Sequence, residues 1–317
     1  EHHIRQGSSL PYVWDMYYSP EREDWGLNIL DQTWLGQNNK IKLVTEKKPG
    51  NMLCLGHRCD GTTHHPYIIN AHNCHAAQAN DNLSGCAVAI EVFRRLRGTK
   101  TRNTYELLIC PELIGTVFWL DDDYSPNDIR GAILLKGVGN DAPLRCQNSF
   151  DGSQLDEYAR GFVDPKHRYP YRSMYGNDEI VFESPPFNIP SIVLSNAPVG
   201  NEQYKPTLFP EYHTSLDTPD IISEKRLEET VSTVLRIINN LEQSSSYIPR
   251  GLHRYNNLPG LYHGPEYREM HQLMCEAPRL LNKGCTYKEI AFRTGAEFKE
   301  TKDYLVKMKE AGLAYLS

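Results

Sequence analysis

The sequence predicts an α/β protein with a largely parallel sheet, followed by a small helical module. From Tyr67 onward, apolar runs of strand length alternate with segments of helical period. Polar, chemistry-bearing residues follow several of those strands. A Ser-, Pro- and Gly-containing stretch near residues 244–260 then precedes a last set of short, capped helices.

Residues 1–66 are rich in Trp, Tyr, Asn and Gly and lack sustained helical periodicity, so they read as a small β-rich segment with strands at Ile41–Val44 and Asn51–Leu55. Residues 67–245 read as the α/β domain. Its expected strands cover 67–71, 105–110, 131–136 and 190–194, and its expected helices run from Leu83 to about Leu96, near Gly115–Leu120, and from Ser223 to about Glu242. In the last of these, Leu227, Val231, Val234, Ile237 and Ile238 mark one apolar face. Residues 246–317 read as a linker and a winged-helix unit. Thr286 and Glu289 form a capping-box pattern, Gly295 stops that short helix, and Phe298, Leu305 and Met308 stripe the next one before Gly312 and Leu313–Leu316.

A hydrophobic content of 39% with 23% charged residues is that of a globular protein, and the formal charge of −6 offers nothing to a polyanion. Residues 255–317 hold nine Lys or Arg against eight Asp or Glu, so nucleic-acid binding is disfavoured even for the winged-helix unit. No apolar run reaches membrane-spanning length. The eight cysteines are irregularly spaced without a C-x-x-C pair, which reads as reduced thiols in a cytoplasmic protein. Oligomeric state is left open.

Ligands of parallel α/β sheets gather at the carboxyl ends of the strands. Four segments bring polar residues there: His72, His75 and Asp81 after the first strand; Glu112 after the second; Asp178 and Glu179 in a glycine turn; and Glu211, Tyr212 and His213 ahead of the long helix. Imidazole and carboxylate suit zinc, which in catalytic sites takes three protein ligands and leaves a place for water. Each residue alone has a plainer reading, such as Asp81 capping the Leu83 helix or Asp178 and Glu179 forming a solvated turn. Cys74, between two histidines, reads as a packing or supporting thiol rather than a nucleophile. No G-x-S-x-G and no phosphate-binding glycine loop is present.

The phrases HNCHAAQANDNLSG (72–85), PELIGT (111–116), YGNDE (175–179) and PEYHTSLDTPD (210–220) resemble, in order, the motifs of the bacterial aminopeptidase-like DUF4910 group, related to the M28 zinc peptidases. The resemblance runs from about Pro11 to the C-terminus. It implies a zinc-peptidase fold of the phosphorylase/hydrolase type, a mixed sheet flanked by helices, with residues 11–66 as the tail of an inserted small β domain and a winged helix at the end. Family members generally carry more chain before this point, so the resemblance also implies a shortened or divergent form. By motif it assigns His72 as the strand-end histidine, Asp81 as the metal-bridging aspartate, Glu112 to the glutamate region and His213 as the late histidine ligand. Two departures stand out: Pro111-Glu112 replaces a pair of glutamates, and the strand ending Leu135-Lys136-Gly137 lacks an expected aspartate.

The expected activity is hydrolysis of an amide or peptide bond by water on one zinc ion, two ions being the fuller family arrangement. Ligands would be Asp81, His213 and either His72 or His75. Glu112 would be the general base, with Asp178, Glu179 or Glu211 taking that part if Glu112 is a ligand, and Arg172 or Tyr212 would orient substrate. Two alternatives remain: a deacylase, amidase or acyl transferase acting on a small N-acyl metabolite or sugar, and a binding or regulatory protein on a peptidase fold.

Overall fold

The computed structural model describes residues 48–315, with 40, 42, 44 and 46, apart from 76–77, 126–127, 175, 197–208, 244–245, 248–259 and 283–284. Half of the strand expected at Ile41–Val44, and most of the β-rich segment, lies outside these residues. The strand expected at Asn51–Leu55 is displaced, because β1 spans Leu55–Cys59. It pairs antiparallel with the strand that delivers Glu112, from Leu55 opposite Ile109 to Cys59 opposite Tyr105. As an exposed edge strand it needs no apolar pattern, so the apolar residues just before it misplaced its start.

β2 (Pro66–His72), β3 (Thr104–Cys110), β4 (Gly131–Leu135) and β7 (Ser191–Ser195) are parallel to one another and form the centre of what is, among the described residues, a seven-stranded mixed sheet, in the order β1-β3-β2-β4-β7 followed by two short strands. β5 (Arg145–Gln147) runs antiparallel to β7, and β6 (Arg168–Tyr169) extends that side. Every residue of β2, β4 and β7 is buried, as expected of strands covered on both faces.

The two covering layers follow from alternation along the strands. Tyr67, Ile69 and Ala71 of β2 share one apolar cluster with α1 (Ser84–Leu96), α3 (Gln154–Ala159) and α5 (Glu224–Gln243), where Val231, Val234, Ile237 and Ile238 supply the expected face. Ile68, Leu108, Leu134 and Val193 pack on the opposite side with Trp119 and Leu120 of α2 (Ile114–Asp123) and Phe182 of α4 (Glu179–Phe182). A third cluster joins α6 (Arg268–Asn282), α7 (Tyr287–Thr294) and α8 (Phe298–Glu310) through Leu273, Leu281, Ile290 and Leu305. The Thr286–Glu289 capping box is present, Gly295 ends α7 at φ 75°, and β8 (Ser246–Tyr247) pairs antiparallel with β9 (Ala314–Tyr315). No described helix is long and apolar enough to cross a membrane.

Gly85, in the first turn of α1, fixes how closely that helix approaches the end of β4. A Cβ there would stand 2.5 Å from the Leu135 carbonyl oxygen and 2.6 Å from the Asn82 side-chain oxygen. Gly85→Ala is therefore expected to destabilise the protein by about 1–3 kcal/mol through overpacking, measured as a lowered denaturation midpoint, and to disturb the loop that precedes the helix.

Candidate metal centre

Between β2 and α1 the chain makes an irregular turn over Ala79–Leu83, with Asp81 at φ −110°, ψ 87° and a cis peptide to Asn82. Side chains mould this turn. The Asp217 carboxylate accepts the backbone N–H groups of Asn80 and Asp81 at 2.6 and 3.0 Å. The loop leaving β4 donates its backbone to the same turn: Gly137 N–H to Asn82 Oδ1 at 2.9 Å, Val138 N–H to Ser84 Oγ at 3.0 Å and Gly139 N–H to Asn80 Oδ1 at 2.7 Å. Asn82 Nδ2 donates in turn to the Leu135 carbonyl at 2.7 Å. Asp81 does not cap α1, which has no side-chain N-cap bond. Its carboxylate points into the site instead.

Three imidazoles surround that carboxylate. His72 Nε2 lies 3.0 Å from Oδ1, while His75 Nε2 and His213 Nε2 lie 3.4 and 3.2 Å from Oδ2. His72, His75 and Asp81 are buried, and His213 sits near the rim with its side chain 17% exposed. The His75 and His213 rings meet edge to face at 4.9 Å, and Tyr212 stacks on His213 at 3.8 Å. Burial pushes the Asp81 carboxyl up, but hydrogen bonds from His213, His72 and His75 outweigh it and hold the group well below the usual carboxylate range.

The tautomer of His72 follows from its neighbours. Asn82 and Asn177 bring Nδ2 to 3.4 and 3.3 Å of His72 Nδ1. Neither amide is able to turn round, because Asn82 Oδ1 accepts from Gly137 and Asn177 Oδ1 accepts from Asp178 N–H at 2.7 Å. Nδ1 is thus an acceptor and Nε2 carries the proton given to Asp81. Burial lowers the His72 pKa, and the Asp81 bond and charge bring it above the ordinary value. The amides oppose a second ring proton, so the neutral form is the one these hydrogen bonds fit.

Glu112 stands beyond β3 at the rim, accepting from Asn177 Nδ2 on Oε1 at 2.5 Å, with Lys136 Nζ 3.9 Å from the same oxygen. The next residue, Leu113, has φ 60°, and its N–H donates to Asp178 Oδ1 at 2.7 Å, where the Thr116 hydroxyl also donates at 2.8 Å. Asp178 and Glu179 are therefore not a solvated turn: both are buried. Glu179 accepts from Asn177 N–H at 2.9 Å and Gln147 Nε2 at 3.3 Å, and burial raises its pKa. Both acids brace the Glu112–Asn177 region from behind.

His75, Asp81 and His213 form one group of donor atoms lying within 4.8 Å of one another, and His72, Cys74 and Glu112 form a second. The Cys74 thiol is pushed up to about 12, first by burial. Tyr212 belongs to the centre through its stack on His213. Arg172, at φ 60° beyond β6, has no described hydrogen bond or ion pair to the cluster, and Glu211 is tied to Thr214 through its carbonyl. Sequence reasoning missed Asn82, Asn177 and Asp217, which act through backbone and amide contacts that no ligand-type pattern marks.

Burial pushes the Asp178 carboxyl up to about 6. The folded chain then holds a proton there between the unfolded carboxylate value, near 4, and about 6, so this group's contribution to stability falls as pH rises through that window. Asp178→Asn keeps the Oδ1 acceptor for Leu113 and Thr116. It is expected to stabilise the protein by about 1–3 kcal/mol above pH ~6 and to lose that advantage below pH ~4, as read from denaturation midpoints across pH.

Residues 9–244 match the family described as a domain of unknown function, DUF4910. A Clostridium acetobutylicum protein, named as a candidate polysaccharide biosynthesis protein with an aminopeptidase-like domain, is 22% identical over 313 residues, covering 92% of this chain and 68% of its own. The crystal structure of a candidate peptidase from Clostridium acetobutylicum superposes with a TM-score of 0.64 at 20% identity, over 98% of this chain and 71% of that one, a similarity of fold. An aminopeptidase from Aneurinibacillus sp. strain AM-1 gives a TM-score of 0.49 at 22% identity, over 60% of this chain and 47% of that one. The family match runs through every segment that brings a side chain to this centre, from β2 to α5, and the chain belongs to the DUF4910 family.

Proposed function

We propose that this chain is an aminopeptidase-like, M28-related zinc hydrolase of peptide or small amide bonds, its ion held by His75, Asp81 and His213. One observation carries the reading: two imidazole nitrogens face the same carboxylate oxygen at 3.4 and 3.2 Å. Tetrahedral zinc with bonds of about 2.0–2.1 Å sets its donors about 3.3 Å apart, so the residues fit the ion. The neutral Nε2–H form of His72 suits a donor to Asp81 better than a ligand, which favours His75 for the histidine beside His213. Bound zinc supplies Lewis acidity, polarising a carbonyl and acidifying water.

Glu112 is the general base in this reading. Asn177 anchors its Oε1 and leaves Oε2 outside those contacts, at a partly exposed rim next to the cluster. It takes the proton of the attacking water and passes it to the departing amine. Tyr212 holds His213 by stacking and presents its ring edge to substrate. The C-terminal helices and ribbon act as a winged-helix interaction unit. A second reading, deacylation of an N-acyl sugar or acyl transfer, draws on the polysaccharide-biosynthesis name of the Clostridium relative. The two separate on reporters, because a peptidase depends on the free α-amine of an aminoacyl substrate.

Zinc is expected to co-purify with the chain or to bind on reconstitution, and the double variant Asp81→Asn/His213→Ala is expected to lose it. Unchanged zinc in that variant rejects the site. Glu112→Gln should retain the ion while amide turnover falls by at least about 10²-fold, checked by metal analysis alongside aminoacyl-reporter kinetics.

A further inference from the structure

The two donor groups at this centre differ in their surroundings. In the group of His72, Cys74 and Glu112, both nitrogens of His72 and one oxygen of Glu112 are already engaged. His72 Nε2 donates to Asp81 while its Nδ1 receives the amides of Asn82 and Asn177. Glu112 Oε1 receives Asn177 Nδ2 and faces the Lys136 ammonium. Lys136 leaves the carboxyl end of β4 with its side chain only 6% exposed, and its charge also reaches His72 and Glu179.

A buried ammonium beside a carboxylate does part of what a metal ion would do there. It neutralises the charge and fixes the oxygen, and it repels a second cation brought to the same oxygen. An aspartate or glutamate at position 136 would do the reverse, adding a ligand where the chain now has a cation.

We propose that Lys136 is the built-in second cation of this centre: with Asn177 it closes the His72–Cys74–Glu112 group to metal, sets the capacity at one ion, and keeps Glu112 aimed at that ion. This rests on the metallohydrolase reading and adds to it the reason for a single ion. Lys136 is a positioning residue and touches no reacting atom.

The test is metal stoichiometry of the full chain, loaded with zinc, desalted and measured by mass spectrometry. Wild type is expected to hold about one ion per chain. Lys136→Asp should gain a second ion, and adding Glu112→Gln should remove it again. Lys136→Met, which removes the charge and keeps most of the volume, should also take a second ion more weakly, so a misfolded Asp variant does not decide the matter. A second ion in wild type, or a single ion in both variants, overturns the proposal. A wild-type chain that binds no ion overturns the metallohydrolase reading itself, a separate and recognisable failure.

Discussion

A carboxylate buried at the end of a parallel sheet has to be compensated, and here the compensation of Asp81 organises the whole centre. An isolated buried carboxylate would neutralise itself by taking a proton, because desolvation disfavours the charge. Three imidazoles converge on it, one from the end of β2 and two from loops, and their hydrogen bonds reverse that outcome. The anion survives burial only while its backbone keeps the irregular turn that aims it. That turn depends on Asp217 and on the three consecutive amides of Gly137, Val138 and Gly139. Loop geometry, strand order and electrostatics are thus one constraint: β2 and β4 must be neighbours for Asp81 to hold its charge.

A second group of charges stands behind this one and is arranged by burial. Asp178 and Glu179 both lie beneath the Glu112 loop, and burial raises both. Lys136 opposes the rise of Glu179, while Glu112 adds to that of Asp178. Crowded acids of this sort repel unless a cation or a proton intervenes. The centre uses both means, an ammonium towards Glu112 and Glu179 and a raised pKa at Asp178. Asn177 connects the two groups by donating to Glu112 Oε1 while facing His72 Nδ1. Through that amide, the position of Glu112 and the protonation of His72 are set together.

Much of this was legible in the chain because the strongest signals were local. The buried strands β2, β3, β4 and β7 and the long helix α5 are continuous apolar or periodic runs, and those patterns survive any tertiary context. Asp81 and His213 stood out through the joint pattern of four polar segments expected at the ligand end of the sheet, each residue having a plainer use alone. β5, β6, α3 and α4 were not anticipated: none exceeds six residues, so pairing and packing decide them more than propensity does. Asp178 and Glu179 were read as catalytic candidates or a solvated turn because nothing in Gly-Asn-Asp-Glu tells that Leu113 and Gln147 donate to them. Asn82 and Asp217 were invisible for a related reason. Each acts on backbone amides from a distant segment, and a backbone amide has no letter in the sequence.

The two loops that meet at Asp81 are also not independent of one another. His213 adopts φ 52°, a left-handed conformation that a histidine holds only with support. Its support is a closed run of turns, Thr214 N–H to Glu211 carbonyl and Asp217 N–H to Thr214 carbonyl, with Tyr212 stacked on the ring. Asp217, at the end of that run, is the residue whose carboxylate holds the Asp81 turn. The loop that supplies an imidazole therefore also positions the carboxylate which that imidazole meets. Groups sharing a partner in this way do not respond additively to substitution. The geometry between His213 and Asp81 is then a property of one hydrogen-bonded unit spanning two distant stretches of chain, and the short β4 exit loop is the surface against which that unit is cast.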